Sequence, residues 1–164
     1  MRAFILDGDT ARETTEIAAV RAAVAEKKTL WIDLEAQTPE VNALLEGPLA
    51  LHPLTIEDIW SDRPSPKAAG FPSYLYVCAH TMKREKDELL TCELDLVVGG
   101  HFVVTHDATH VVSNALRDEL TRSPRLLARG APWIAHAVLD HLVDGYLPVI
   151  DRFDDDVETL EELG

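Results

Sequence analysis

Apolar residues recur in this sequence with two periods, one typical of strands and one typical of helices. In the N-terminal part these periods predict two strands and three helices, over residues 2–6 and 29–34 and over residues 14–26, 39–46 and 53–60. Thr38 and Pro39 are residue types that open a helix, and Gly47 is expected to end it. Strands and helices are therefore expected to mix from the start of the chain.

A three-stranded meander is expected in the middle of the chain. Its strands are predicted over residues 74–82, 89–98 and 101–105. Charged residues 83–88 form the first turn, and Gly99 and Gly100 fit a two-residue hairpin turn in which both positions need positive φ. The two prolines within residues 63–67 exclude regular structure there.

The C-terminal part is predicted to be helical. A helix is expected over residues 111–120, and a much longer one begins at Pro132. Pro148 is expected to bend the long helix near Asp144, whose carbonyl loses its hydrogen-bond donor. Because the helical pattern still runs at Gly164, we expect a piece of a longer protein. Two parts are predicted, a domain over residues 1–130 and the start of a long helix over residues 131–164.

Composition narrows the class of protein. The 164 residues are 46% hydrophobic and 27% charged, as expected for a folded domain. With 15 Lys+Arg and 29 Asp+Glu, the net charge is −14, which disfavours binding to nucleic acid or to an anionic bilayer and suits cations or simple solubility. No membrane helix and no signal peptide are expected, and two cysteines fit a reducing cytosol.

Carboxylates are the most informative candidate ligands. Glu57 and Asp58 are adjacent on a short apolar helix, where Asp58 is expected to be exposed. Asp140 and Asp144 lie four residues apart, so they share one face of the long helix. Hard divalent cations prefer such oxygen ligands. The alternative is that all four are solvated surface acids.

Other chemistry has weaker support in the sequence. Cys78 and His80 share one strand face, with Cys92 on the next strand, so zinc ligation is conceivable, although buried core cysteines are the simpler interpretation. No Gly-x-Ser-x-Gly nucleophile turn and neither of the common glycine-rich phosphate loops occurs. An enzyme is therefore not expected.

Six segments together resemble the cytosolic N-terminal domain of CorA-type magnesium transporters. They are Trp-Ile-Asp-Leu at 31–34, Leu-His-Pro-Leu-Thr-Ile-Glu-Asp-Ile at 51–59, the Arg-Pro…Lys element at 63–67, and residues 71–77, 102–106 and 139–149. The resemblance implies an α/β fold in which a mixed β-sheet is sandwiched between helical layers and followed by a long C-terminal helix. It also implies a homo-oligomer, a pentamer in the full-length protein, on the cytoplasmic side of the cell inner membrane.

The same resemblance implies a metal-sensing role. In such proteins divalent cations lie between neighbouring cytosolic domains, and Asp58 matches the main ligand, with Glu57, Asp140 and Asp144 as further candidates. The cation would be Mg²⁺, with Co²⁺, Zn²⁺ or another divalent cation as alternatives. Metal between subunits would stabilise the closed state, and membrane contact would come only through segments beyond residue 164. A stand-alone acidic metal-binding or adaptor protein of the same fold is the alternative, and a metal-dependent hydrolase is a further one.

Overall fold

The computed structural model describes residues 1–61, 65–85 and 88–162. Its strands are β1 (Arg2–Asp7), β2 (Thr10–Thr14), β3 (Leu30–Leu34), β4 (Lys67–Gly70), β5 (Tyr74–Glu85), β6 (Glu88–Gly99) and β7 (Phe102–Asp107). Its helices are α1 (Ile17–Ala25), α2 (Pro39–Glu46), α3 (Pro53–Trp60), α4 (Val111–Arg122), α5 (Arg125–Ala128), α6 (Ala131–Asp144) and α7 (Leu147–Glu162).

The strands form one mixed sheet in the order β2-β1-β3-β7-β6-β5-β4. β3 and β7 pair in parallel at its centre, with Ile32 opposite Val104, and the other neighbours are antiparallel. The sequences of β3 and β7 are mostly apolar because both faces of these two strands are buried.

Helices cover both faces of the sheet, as side chains alternating along each strand require. On one face, residues such as Ile32 pack with Leu44 of α2 and Ile56 of α3. On the other face, Trp31 packs with Leu116 of α4 and Val138 of α6. The predicted fold class, a mixed sheet between helical layers with a long helical C-terminus, is confirmed.

Three elements were not predicted from the sequence. β4 is a short, mostly exposed edge strand, and its first residue, Lys67, lies in the segment 63–67 where the prolines were expected to exclude regular structure. β2 is an edge strand of sequence Thr-Ala-Arg-Glu-Thr whose residues are exposed or half-buried, so it carries no apolar signal. α5 is a single turn. The strands around the turn predicted over residues 83–88 reach Glu85 and Glu88, and residues 86–87 lie outside the described part of the chain. Residues 63–64 of the Arg-Pro…Lys element also lie outside it.

The prediction of positive φ at Gly99 and Gly100 is wrong. Among the described glycines, positive φ occurs at Gly8 and Gly130. β6 ends at Gly99 and β7 begins at Phe102, and a Cβ atom at Gly99 would lie 2.4 Å from the Phe102 ring. Glycine is needed there because an aromatic ring packs directly on its Cα.

The C-terminal helices meet at Gly145 and Tyr146, between α6 and α7. Pro148 has no N–H to donate to the Asp144 carbonyl, and the helix is interrupted at Gly145 and Tyr146, next to the position where a bend was predicted. The Tyr146 hydroxyl donates a hydrogen bond to the His80 carbonyl, which ties the junction to β5. α6 packs on the sheet, and the boundary between parts at residue 131 stays a prediction.

Candidate functional site

Helix α3 holds Glu57 and Asp58 at the surface. The His52 imidazole caps the helix by accepting a hydrogen bond from the Leu54 N–H at 3.2 Å. Thr55, Ile56 and Ile59 are buried and fix the helix against the sheet. Glu57 is consequently exposed, whereas the Asp58 side chain keeps 28% of its exposure and is half-buried rather than exposed as expected.

A lysine accounts for the partial burial of Asp58. Lys67 Nζ, at the start of β4, donates to Asp58 Oδ2 at 2.6 Å and lies 5.7 Å from the centre of the Tyr76 ring. The hydrogen bond to Asp58 raises the pKa of Lys67 above its ordinary value. The sequence placed Lys67 in a recognisable element but gave no sign of this pairing, which depends on β4 joining the sheet beside β5.

Asp140 and Asp144 lie on the opposite side of the molecule. Both are exposed on α6, which packs on the face of the sheet that α3 does not touch. The structure therefore brings Glu57 near Asp58 but does not bring either to Asp140 or Asp144. A hydrolase using all four would need them in one pocket, and within one chain they do not share one.

A second group of ligand-type side chains was not predicted from sequence. One donor atom each from Cys78, Glu93 and Asp95 lies within 4.8 Å of the others, and no further grouping of three such residues occurs in residues 1–61, 65–85 and 88–162. Burial, followed by the nearby Asp95 and Glu93 carboxylates, raises the pKa of the Cys78 thiol to about 12. A thiol held in that form is a poor nucleophile, which argues against covalent catalysis by Cys78, and it ligates a cation only by releasing its proton as the cation binds.

The grouping of Cys78 with Cys92 does not form. Adjacent strand residues point to opposite faces, and Cys92 neighbours Glu93 on β6, so Cys92 points away from the Cys78 side of the sheet. The partners of Cys78 are set by the register of the long β5–β6 hairpin, in which Cys78 faces Asp95. Predicting this register from the sequence would have required the exact length of the turn between β5 and β6.

The fold is that of known transporter domains. The soluble domain of CorA from Methanocaldococcus jannaschii superposes with a TM-score of 0.73 at 15% identity, covering 98% of this chain and 63% of that one. The cytoplasmic domain of ZntB from Vibrio parahaemolyticus gives 0.72 at 12% identity, covering 100% and 64%. These likenesses define an α/β domain of the CorA and ZntB type.

The chain belongs to the family described as CorA-like Mg²⁺ transporter protein, which matches residues 26–163. A putative metal ion transporter of Bacillus subtilis, YfjQ, is 31% identical over 135 residues, covering 80% of this chain and 41% of the relative. The cobalt/magnesium transport protein CorA of Thermotoga maritima is 23% identical, covering 92% and 44%. The chain thus spans less than half the length of these relatives.

Within the described residues, none of the helices combines the length and apolar character that a membrane span requires.

Proposed function

We propose that this chain is the cytoplasmic, metal-sensing domain of a CorA-like transporter of Mg²⁺ or a related divalent cation, assembled as a homo-oligomer in the cell inner membrane. Family membership over residues 26–163 and relatives named as magnesium or metal ion transporters support the transporter role. The −14 charge supports a surface that attracts cations.

We place the sensing site at Asp58, with Glu57 beside it. The donor set fits Mg²⁺, which prefers carboxylate oxygens and retains several waters. The observation that carries the proposal is that α3 presents Glu57 fully and Asp58 partly to solvent, while Asp140 and Asp144 face the other way. Carboxylates that cannot meet within one chain can meet across a boundary between two copies.

Lys67 gives this site an internal competitor. Its ammonium group occupies Asp58 Oδ2, so a cation that binds Asp58 through this oxygen must displace it. Binding is then weak, which suits a sensor of a cation present at millimolar concentration, for which about −4 kcal/mol of binding free energy is sufficient.

Regulation follows from charge. Copies that each carry −14 repel one another, and a cation shared between carboxylates of two copies offsets that repulsion. Cation binding then favours the closed arrangement, and loss of the cation favours the open one, as a population shift between two states.

Thermal unfolding of the chain with Mg²⁺, at ionic strength matched with NaCl, tests the site. At about ten times Kd we expect about 1.4 kcal/mol of stabilisation, or about 3–6 °C in Tm. Asp58→Asn should abolish the stabilisation by Mg²⁺. Lys67→Met should give the same stabilisation at a lower Mg²⁺ concentration, because no ammonium group then competes for Asp58. Asp9→Asn, at another exposed acid, is the matched control and should respond like the wild type.

Two outcomes would count against the proposal. If Mg²⁺ and NaCl stabilise the wild type equally, the acidic surface serves solubility, as in an adaptor protein. If Asp58→Asn responds like the wild type, cation binding lies elsewhere.

A further inference from the structure

The Cys78, Glu93 and Asp95 side chains converge on the face of the sheet that α1–α3 partly cover. In the β5–β6 register, Cys78 lies opposite Asp95, and His80 lies opposite Glu93. On the other side, β6 pairs with β7 so that Asp95 lies opposite His106. Five ligand-type side chains from three adjacent strands therefore share one patch of the sheet.

The three converging groups lie beside an open cavity. Cys78 is 2% exposed and Asp95 is 1% exposed, so both are shielded from bulk water. Next to them, beyond the end of α3, is a cavity of about 690 Å³ lined by Ser61, His80, Glu93 and His106 among others. A solute can thus reach the edge of the cluster through Glu93.

Asp95 is already fixed in position. Tyr76 Oη donates to its Oδ1 at 2.7 Å, and His106 Nδ1 lies 3.3 Å from its Oδ2. Hydrogen bonds of this kind orient carboxylate ligands in metal sites. The buried Asp95 carboxylate beside the half-buried Glu93 carboxylate also favours a cation, because bringing negative charges together away from water is costly.

We propose that Cys78, Glu93 and Asp95 bind a borderline transition-metal cation of the Zn²⁺ or Co²⁺ class. A sulfur ligand combined with carboxylates selects such ions over Mg²⁺. His80 and His106 lie on the same face of the sheet but outside the group whose donor atoms lie within 4.8 Å of one another, and the adjoining cavity admits water as a further ligand. This site uses ligands different from those at Asp58, although Lys67, which pairs with Asp58, lies opposite Cys78 in the sheet, and it requires no second copy of the chain.

Titration of the reduced, metal-stripped chain with Co²⁺ tests the site. We expect one ion per chain and a sulfur-to-Co²⁺ charge-transfer absorption that Zn²⁺ removes and excess Mg²⁺ does not. Cys78→Ser should abolish the absorption, whereas Cys92→Ser, at the other cysteine, should keep it. Asp95→Asn and Glu93→Gln preserve side-chain shape and should weaken Co²⁺ binding by about tenfold or more.

Absence of the charge-transfer band in the wild type would overturn the proposal. So would its loss in Cys92→Ser with retention in Cys78→Ser, or unchanged Co²⁺ affinity in both carboxylate variants. Because Cys78 is buried, circular dichroism checks that its variant folds, and the carboxylate variants decide the question if it does not. Asp58→Asn should leave the band intact, which separates this result from that of the Mg²⁺ experiment.

Discussion

Asp33 is an acid held inside the protein by a short chain of hydrogen bonds. Trp31 Nε1 donates to Thr105 Oγ1 at 2.9 Å, and the Thr105 hydroxyl donates to Asp33 Oδ1 at the same distance. These bonds join the parallel strands β3 and β7 through their side chains. Burial raises the pKa of Asp33 to about 6, although the Thr105 hydrogen bond opposes that rise.

We expect Asp33→Asn to stabilise the protein above pH 6. The folded-state pKa of Asp33 is higher than the value of 3.8 for an unperturbed aspartate, so its contribution to stability is fully present below about pH 4 and is lost as pH rises through about 6. The shift in the pKa of Asp33 corresponds to a loss of about 3 kcal/mol in the free energy of unfolding between these pH values. Asparagine keeps the acceptor for Thr105 without the charge.

Urea unfolding of the wild type and of Asp33→Asn between pH 4 and pH 8 measures the effect of the Asp33 charge on stability. The free energy difference between wild type and variant should grow over that window. Asp9→Asn, at an exposed acid, should show no such trend. A constant difference for Asp33→Asn would mean that Asp33 titrates as it does in the unfolded chain.

The turn between β6 and β7 requires glycine at one position because of side-chain packing and not because of a positive φ. At the β6–β7 turn the Phe102 ring, 6% exposed, lies against Gly99. Gly100 has nothing within 4 Å of a Cβ position. The two neighbouring glycines therefore carry different constraints.

Gly99→Ala should destabilise the protein by about 1–3 kcal/mol, because the buried ring must move. Gly100→Ala should change stability by less than about 0.5 kcal/mol. Chemical denaturation measures both. Equal and large losses would instead indicate that both positions have positive φ.

Local chemistry was enough to predict many elements. The Thr38 hydroxyl accepts from the Val41 N–H at 3.2 Å, as expected of an N-cap, and α3 spans the predicted residues 53–60. The polar strand β2 was missed because its order comes from pairing with β1. The same limit applies to the sites, since the Asp58–Lys67 pair and the Cys78–Asp95 pair depend on strand register, which the sequence does not state.

An apolar stripe remains uncovered along the C-terminal helices. Its members are exposed large hydrophobic residues, Leu139, Val143, Leu147, Ile150, Phe153 and Val157. They recur at steps of three and four, so they lie along one side of α6 and α7. A continuous apolar side of this kind favours contact with another helix.

We expect the chain to self-associate through this stripe. Phe153→Ser should weaken association by about tenfold or more, because a large aromatic contact is lost. Asp154→Ser, at the adjacent exposed position, should leave it unchanged. Sedimentation velocity over a concentration series measures both. Equal association by the wild type and Phe153→Ser would place the contact elsewhere.

Acids on opposite sides of one sheet also restrict symmetry. A partner related by a two-fold axis covers one side of a chain, so it cannot meet both α3 and the exposed face of α6. A cation joining Asp58 of one copy to Asp140 or Asp144 of the next would use two different surfaces, and each added copy would repeat the step in the same direction. Such head-to-tail contacts close into a ring or grow into a filament. In a ring built on the proposed cation site, every chain would supply Asp58 at one joint and its α6 acids at the other.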